Sequence, residues 1–220
     1  MVNFTETWGV DPAMGHAERA LALGYAAPER RRALSALFAL DASLAKLTRH
    51  TRDPMVAQMR LTWWHEALSG LAERAIPGQP ILIALEGEVA EGRATPAGLA
   101  AIVEGWEALL DGEALDHARR RGGALFTAAA GMLGADDVVT PAGEGWALAD
   151  LALATPDPAM AATARAAAAA PLAAATAQRW SRGGRALGGL ALAARADLAG
   201  APEGAPGRVL ALLKLRLTGR

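Results

Sequence analysis

The chain has 220 residues, no cysteine and a formal net charge of −1. This excludes disulfides, thiol nucleophiles and zinc–thiolate sites, and it argues against nucleic acid as the main partner, because duplex binding depends on clustered cations. Hydrophobic residues make up 52% of the chain, yet breakers or charges interrupt every long apolar run, so no membrane-spanning helix is expected. With one tyrosine and three phenylalanines, a stacking platform for single strands is not expected either. The N-terminal stretch MVNFTETWGVDP lacks a basic segment followed by an apolar block, so a cytoplasmic location is expected.

Prolines stand where helices would begin, since proline has no N–H to leave unpaired in a first turn and its fixed φ suits that position. Helices are predicted to open near Pro28, Pro54, Pro80, Pro96, Pro141, Pro158 and Pro206, with Asp53 and Thr95 as N-caps of two of them. Alanine, leucine, glutamate and arginine fill the segments between. No stretch shows the β-branched alternation of a strand. The expected class is all-α.

At about 100° per residue, Leu34, Leu37, Leu40, Leu44, Ala33 and Ala45 share one broad helical face, and Asp41 falls inside it. In the next helix, which contains RLTWWHEAL, Val56, Met59, Leu61, Trp63, Trp64, Ala67, Leu68 and Leu71 form another apolar arc. That arc contains Arg60 and turns His65 and Glu66 to the polar side. An unpaired buried charge is costly, so the expectation is a buried Asp41–Arg60 ion pair. Its charged groups should lie within about 6 Å, with Trp64 beside them. The helix opening at Pro96 carries Leu99, Ile102, Trp106 and Leu109, and its continuation puts Glu113 and His117 on the apolar side. Glu113 is a second candidate partner for Arg60, and Trp63, Trp64, Trp106 and Glu113 are the candidate cavity wall. His16, His50 and His117 lack metal-like spacing, so no metal ligands are expected.

RGG-like pairs at Arg121 and Arg182 are isolated and define no RNA-binding segment. The stretch AATARAAAAAPLAAATAQ, residues 161–178, is low in complexity; alanine favours helix but buries little area, so weak hold on the core is expected. SRGGRALGG and AGAPEGAPG read as turns or connections. Residues 206–220 contain leucines throughout, four cations and no acid. Such a basic amphipathic helix could close its own core, lie on an anionic bilayer or dock on a partner.

The stretches YAAPERRRALSALFAL (25–40), MRLTWWHEAL (59–68) and QPILIAL (79–85) resemble the squalene/phytoene synthase family of head-to-head isoprenyl diphosphate synthases. The resemblance implies an isoprenoid-synthase-like antiparallel helical bundle, truncated relative to the enzymes, as a single domain over 1–220. Within it, residues 20–155 form the family-like core, 156–205 the alanine-rich helices and connection, and 206–220 the basic helix. In active members of the family two D-x-x-x-D motifs face each other and hold magnesium, which stabilises the departing diphosphate. Here the alignment puts Ala45 and Lys46 where the first aspartates would stand and Arg49 where the last would stand. The second motif is reduced to Asp150 and Asp157 with a proline between them. With both motifs degenerate, the expectation is a pseudoenzyme without cofactor, with magnesium relevant only to an alternative reading as a divergent prenyl-diphosphate transferase.

The alanine-plus-basic replacement together with the Met-Arg-Leu-x-Trp-Trp signature is similar to the branch of the family that assembles respiratory complex I. That similarity implies a scaffold or assembly factor for a membrane-bound NADH dehydrogenase, with protein partners and a position in the cytoplasm peripheral to the inner membrane. An isoprenoid- or lipid-binding protein is the other reading. An open apolar tunnel reaching Asp41 and Arg60 would favour ligand binding, and a cavity filled by side chains would favour the scaffold.

Overall fold

The computed structural model describes residues 7–51, 53–74 and 78–220; residues 1–6, 52 and 75–77, and the side chain of His50, lie outside the described residues. Among the described residues every regular element is helical. A 3-10 turn at Pro28–Arg30 follows α1 (Ala17–Leu23), and then come α2 (Arg31–His50), α3 (Pro54–Ser69), α4 (Pro80–Ala90) and α5 (Pro96–Leu110). The second half contains α6 (Ala114–Leu133), α7 (Thr140–Ala154), α8 (Pro158–Ala177), α9 (Arg185–Leu198) and α10 (Pro206–Thr218). No helix among the described residues is long and apolar enough to cross a membrane.

Proline occupies the first or second position of the 3-10 turn and of α3, α4, α5, α7, α8 and α10. The expected caps form: the Asp53 carboxylate accepts from the Met55 N–H at 2.9 Å and the Thr95 hydroxyl from the Gly98 N–H at 3.0 Å. Asp157 caps α8 in the same way, accepting from the Ala159 N–H at 2.9 Å. Each satisfies one of the donors that a helix start leaves unpaired.

Three local expectations fail. SRGGRALGG is a connection only as far as Gly184; from Arg185 it is the start of α9, whose Gly188 lets the Trp180 ring pack against the helix. The helix from Pro96 stops at Leu110, Gly112 turns the chain with φ +84°, and a new helix begins at Ala114. Glu113 therefore sits exposed at the head of α6 rather than in an apolar arc, whereas His117, one turn inside, is buried. In α3 the buried stripe is narrow, comprising Ala57, Leu61, Trp64 and Leu68. Met55, Val56, Met59, Arg60 and Trp63 all face outward.

Helices α5 to α8 are joined by short connections, and each lies against the next, as antiparallel neighbours in a bundle do. Their backbones approach closely at glycines, where no side chain intervenes. A Cβ on Gly105 of α5 would fall 2.5 Å from the Arg121 nitrogen of α6. A Cβ on Gly122 would lie 2.1 Å from the Gly143 oxygen of α7, and one on Gly143 equally close to the Gly122 oxygen. Helix α8 runs unbroken through Pro171 and buries Ala164, Ala168, Leu172 and Ala175, with α7 as its neighbour. Leu172 fits into the space that Gly145 leaves open. The small residues thus allow close approach, a role that composition alone understates.

Candidate functional site

The centre of the bundle is polar. Asp41, on the apolar face of α2, is 2% exposed, and both of its oxygens are engaged by Arg121 of α6. The Arg121 Nε donates to Oδ1 and Nη2 to Oδ2, each at 2.7 Å. This two-pronged arrangement is the strong form of a carboxylate–guanidinium contact. The Trp106 indole N–H of α5 donates to Oδ1 as well, at 3.0 Å. Arg121 still has Nη1, which donates to Asp150 Oδ2 of α7 at 2.9 Å. One guanidinium therefore bridges two carboxylates from two different helices.

Aromatic rings enclose the bridge. The Arg121 guanidinium carbon lies 4.7 Å from the Trp106 ring centre and 5.0 Å from that of Trp146, so both rings add cation–π attraction. Arg19 of α1 lies over Trp146 at 5.1 Å and reaches Asp150 Oδ1 at 3.5 Å. The His117 ring lies 4.5 Å from that of Trp106, and its Nδ1 is 2.7 Å from the Gly105 carbonyl. Because a carbonyl only accepts, the neutral ring carries its proton on Nδ1.

The electrostatics keep this centre ionised in one pattern. Burial alone would lower the Arg121 pKa, but Asp41 and Asp150 outweigh it and hold the group above the usual arginine range. Burial would raise Asp150, yet the charges of Arg121, Arg19 and Arg49 hold it down at about 2. His117 is pushed down to about 4, first by burial and then by the Arg121 charge. Near neutral pH Asp150 and Arg121 are therefore charged and His117 is neutral.

The predicted Asp41–Arg60 pair does not form. Arg60 is exposed, and with Lys46, Trp63 and Trp64 it lines a separate hollow of about 490 Å³. Its arc is apolar by composition but faces outward, and the partner of Asp41 comes from α6. Of the four candidate wall residues, Trp106 touches the Asp41 centre, Trp63 is exposed, Trp64 is buried beside the Arg60 hollow and Glu113 is exposed. Ala45 is buried and Lys46 is exposed. Arg49 shares a pocket of about 350 Å³ with Asp150, Arg19, Trp146, Asp197 and Arg208. Positions from the two degenerate motifs thus do meet, but as a cation facing an acid.

A second ion cluster borders the same pocket. Arg208 of α10 donates through Nε to Glu18 of α1 at 2.8 Å, pairs with Asp197 of α9 at 2.6 Å, and donates to the Ala201 carbonyl at 2.7 Å. Trp106 and Arg121, which bind Asp41, are each at most 2% exposed, as are Phe38 and Phe126, which pack against Trp146. Sequence reasoning noted Arg121 only as part of an RGG-like pair and named neither Trp146 nor Arg19 as a site residue. The signal for Arg121 was present, because it is the charge within the buried stripe Ala118, Arg121, Gly122, Leu125, Phe126 and Ala129 of α6.

This chain belongs to the squalene/phytoene synthase family: the family model matches residues 15–138, more than half of its length. The match takes in α1 to α6, including Asp41 and Arg121, and stops just before α7. The all-helical structure is consistent with the isoprenoid synthase helical fold. No curated protein and no solved structure matches the chain.

Magnesium held by paired carboxylates is what the family resemblance implies for active members, and the residues here do not fit it. Both Asp41 oxygens bind Arg121, Asp150 binds Arg121 and Arg19, Ala45 offers no donor atom and Arg49 is a cation. Among the described residues no cluster of three or more acidic or histidine side chains could hold a metal ion.

Proposed function

We propose that the chain is a non-catalytic member of its family, a helical bundle that acts as a scaffold in assembling or maintaining a membrane-bound respiratory NADH dehydrogenase. The observation that carries the non-catalytic reading is the Asp41–Arg121–Asp150 bridge, in which an internal guanidinium occupies carboxylates where metal diphosphate chemistry would need them free. A multiply charged diphosphate bound through magnesium needs cavity-facing acids with open coordination sites. Here each acid is neutralised by the chain's own arginines. The assembly role rests on the family branch that shares the Ala45–Lys46 replacement and the Met59–Trp64 signature, and fold-level analogy is its warrant. Peripheral association with the inner membrane from the cytoplasmic side belongs to the same proposal.

Two experiments test it. The protein is incubated with farnesyl or geranylgeranyl diphosphate and magnesium while diphosphate release is followed. The expected result is no release above the protein-free control, and turnover on the order of 1 s⁻¹ or faster overturns the non-catalytic reading. Affinity capture from the native organism is expected to enrich subunits of the NADH dehydrogenase; enrichment of isoprenoid-pathway enzymes instead, or of neither set, removes the assembly role.

The reading as an isoprenoid or lipid carrier has weaker support. The pocket beside Asp150 holds about 350 Å³, near the lower end of ligand sites, and its wall mixes three arginines with four acids. Such a lining suits a small polar group better than a prenyl chain.

A further inference from the structure

Helix α10 uses only one side to close the bundle. Arg208, Leu212 and Leu215 are buried, and the chain beyond the helix is tied down where the Trp180 N–H donates to the Gly219 carbonyl at 2.8 Å. The opposite side is apolar and uncovered. Val209 is 43% exposed, Leu210 66%, Leu213 49% and Leu217 69%, which is more than scattered surface hydrophobics would place on a single helix. At about 100° per residue, the four side chains share an arc of about 100°, with Lys214 beyond one edge and Arg216 beyond the other. Both cations are exposed, and Arg216 also lies over the Tyr25 ring at 5.3 Å.

The surroundings add charge of the same sign. The loop before α9 is fixed to α10 by the Trp180 bond and by Arg185, whose Nη1 donates to the Arg216 carbonyl at 2.7 Å. That loop contributes Arg179 and Arg182, both exposed, and Arg220 is exposed at the end of the chain. Asp137 also reaches the loop, but its carboxylate is engaged by the Ser181 N–H at 2.8 Å and the Ser181 hydroxyl at 2.6 Å. Residues 206–220 contain no acid.

We propose that this face of α10, with the adjoining 179–184 loop, is a docking surface for an anionic lipid bilayer. The aliphatic ridge would enter the boundary between headgroups and acyl chains while Lys214, Arg216, Arg220, Arg179 and Arg182 meet the lipid phosphates. Apolar burial and attraction to negative lipid act together in such helices, and each alone binds weakly. A protein partner would match this surface less well, because an outward aliphatic ridge ringed by like charges offers few directional polar contacts. The inference deepens the peripheral membrane association proposed above but is argued from the α10 surface alone, so vesicle binding and capture of NADH dehydrogenase subunits can fail separately.

The test uses the full chain in a flotation assay with phosphatidylcholine vesicles and with phosphatidylcholine–phosphatidylglycerol vesicles. Binding is expected to the anionic vesicles and to weaken as salt screens the cations. Two variants separate the contributions: Leu210→Ser with Leu213→Ser and Leu217→Ser, and Lys214→Glu with Arg220→Glu. Each is expected to lower partitioning about tenfold or more without altering the thermal transition, because all of these side chains are exposed. The absence of cysteine allows a second readout that leaves the rest of the surface intact. A polarity-sensitive dye on Leu217→Cys should shift to shorter wavelength with anionic vesicles, and the same dye on Ile83→Cys should not. Failure of the intact protein to bind, or binding that neither variant weakens, overturns the proposal. So does a Leu217 dye shift produced only by another protein.

Discussion

Replacing Arg121 with methionine tests the centre of the bundle directly. Methionine keeps an unbranched stem but ends short of the guanidinium, so Asp41 loses both bonds at 2.7 Å and keeps only the Trp106 N–H at 3.0 Å; Asp150 keeps Arg19 at 3.5 Å. Removing one partner of a buried pair destabilises by about 3–5 kcal/mol, mostly because the remaining charge is stranded away from water. Loss of contact with two indole rings falls within that range rather than adding to it. In urea, with a slope near 3 kcal/mol per molar, the unfolding midpoint should fall by about 1–2 M. Adding Asp41→Asn to Arg121→Met removes the stranded charge and leaves a carbonyl for Trp106, so the double variant should recover most of the loss. Equilibrium unfolding followed by circular dichroism measures both. A loss below about 1 kcal/mol, the scale of an exposed ion pair, or a double variant no more stable than the single one, refutes the reasoning.

Three further outcomes follow from the geometry. His117 is held near pKa 4 in the fold against 6.5 for the free side chain, so the unfolded chain takes up the proton first. Stability is then complete above pH 6.5 and falls by about 1.4 kcal/mol per unit below it, about 3 kcal/mol in total by pH 4. His117→Gln, whose amide can still donate to Gly105, should flatten urea midpoints across that interval; an unchanged slope would mean that another group titrates there. Gly122→Ala places a methyl 2.1 Å from the Gly143 oxygen, so α6 and α7 must separate, and thermal melting should show a loss of about 3 kcal/mol or a failure to fold. Arg60→Ala, on the exposed side of α3, should change stability by no more than about 0.5 kcal/mol, and a loss of several kcal/mol would restore the pairing first expected from the sequence.

Much of the fold was legible because its signals are local. Proline at a helix start acts through its own φ and its missing N–H, and Asp53 and Thr95 cap within two or three residues, so no distant part of the chain is needed to recognise them. The charge in the apolar face of α2 was legible for the same reason, and Asp41 is indeed buried and paired. Its partner was not, since choosing it requires knowing which helix crosses α2 and at what height. Arg60 looked inward because it falls within the wide apolar arc of α3, but apolar residues do not all lie inside. Arg121 stands next to Gly122 and Gly123, which the sequence presents only as an isolated RGG-like pair. In the structure those glycines mark close helix contact, and the approach of Gly105 to the Arg121 backbone sets the guanidinium between the two tryptophans. Reading the glycines as contact points would have placed Arg121 within the buried stripe.

The Arg121 bridge also decides when the interior becomes electrically complete. An acid-lined cavity remains under repulsion until cations arrive from solution, so its folded population rises and falls with the supply of metal. In this chain the counter-ion is tethered to a helical backbone through three methylene groups, and its local concentration is set by geometry rather than by the cell. Neutralisation and folding are therefore a single event. Chelators should leave the folded population where it was, so the bundle keeps its shape independently of the surrounding ions.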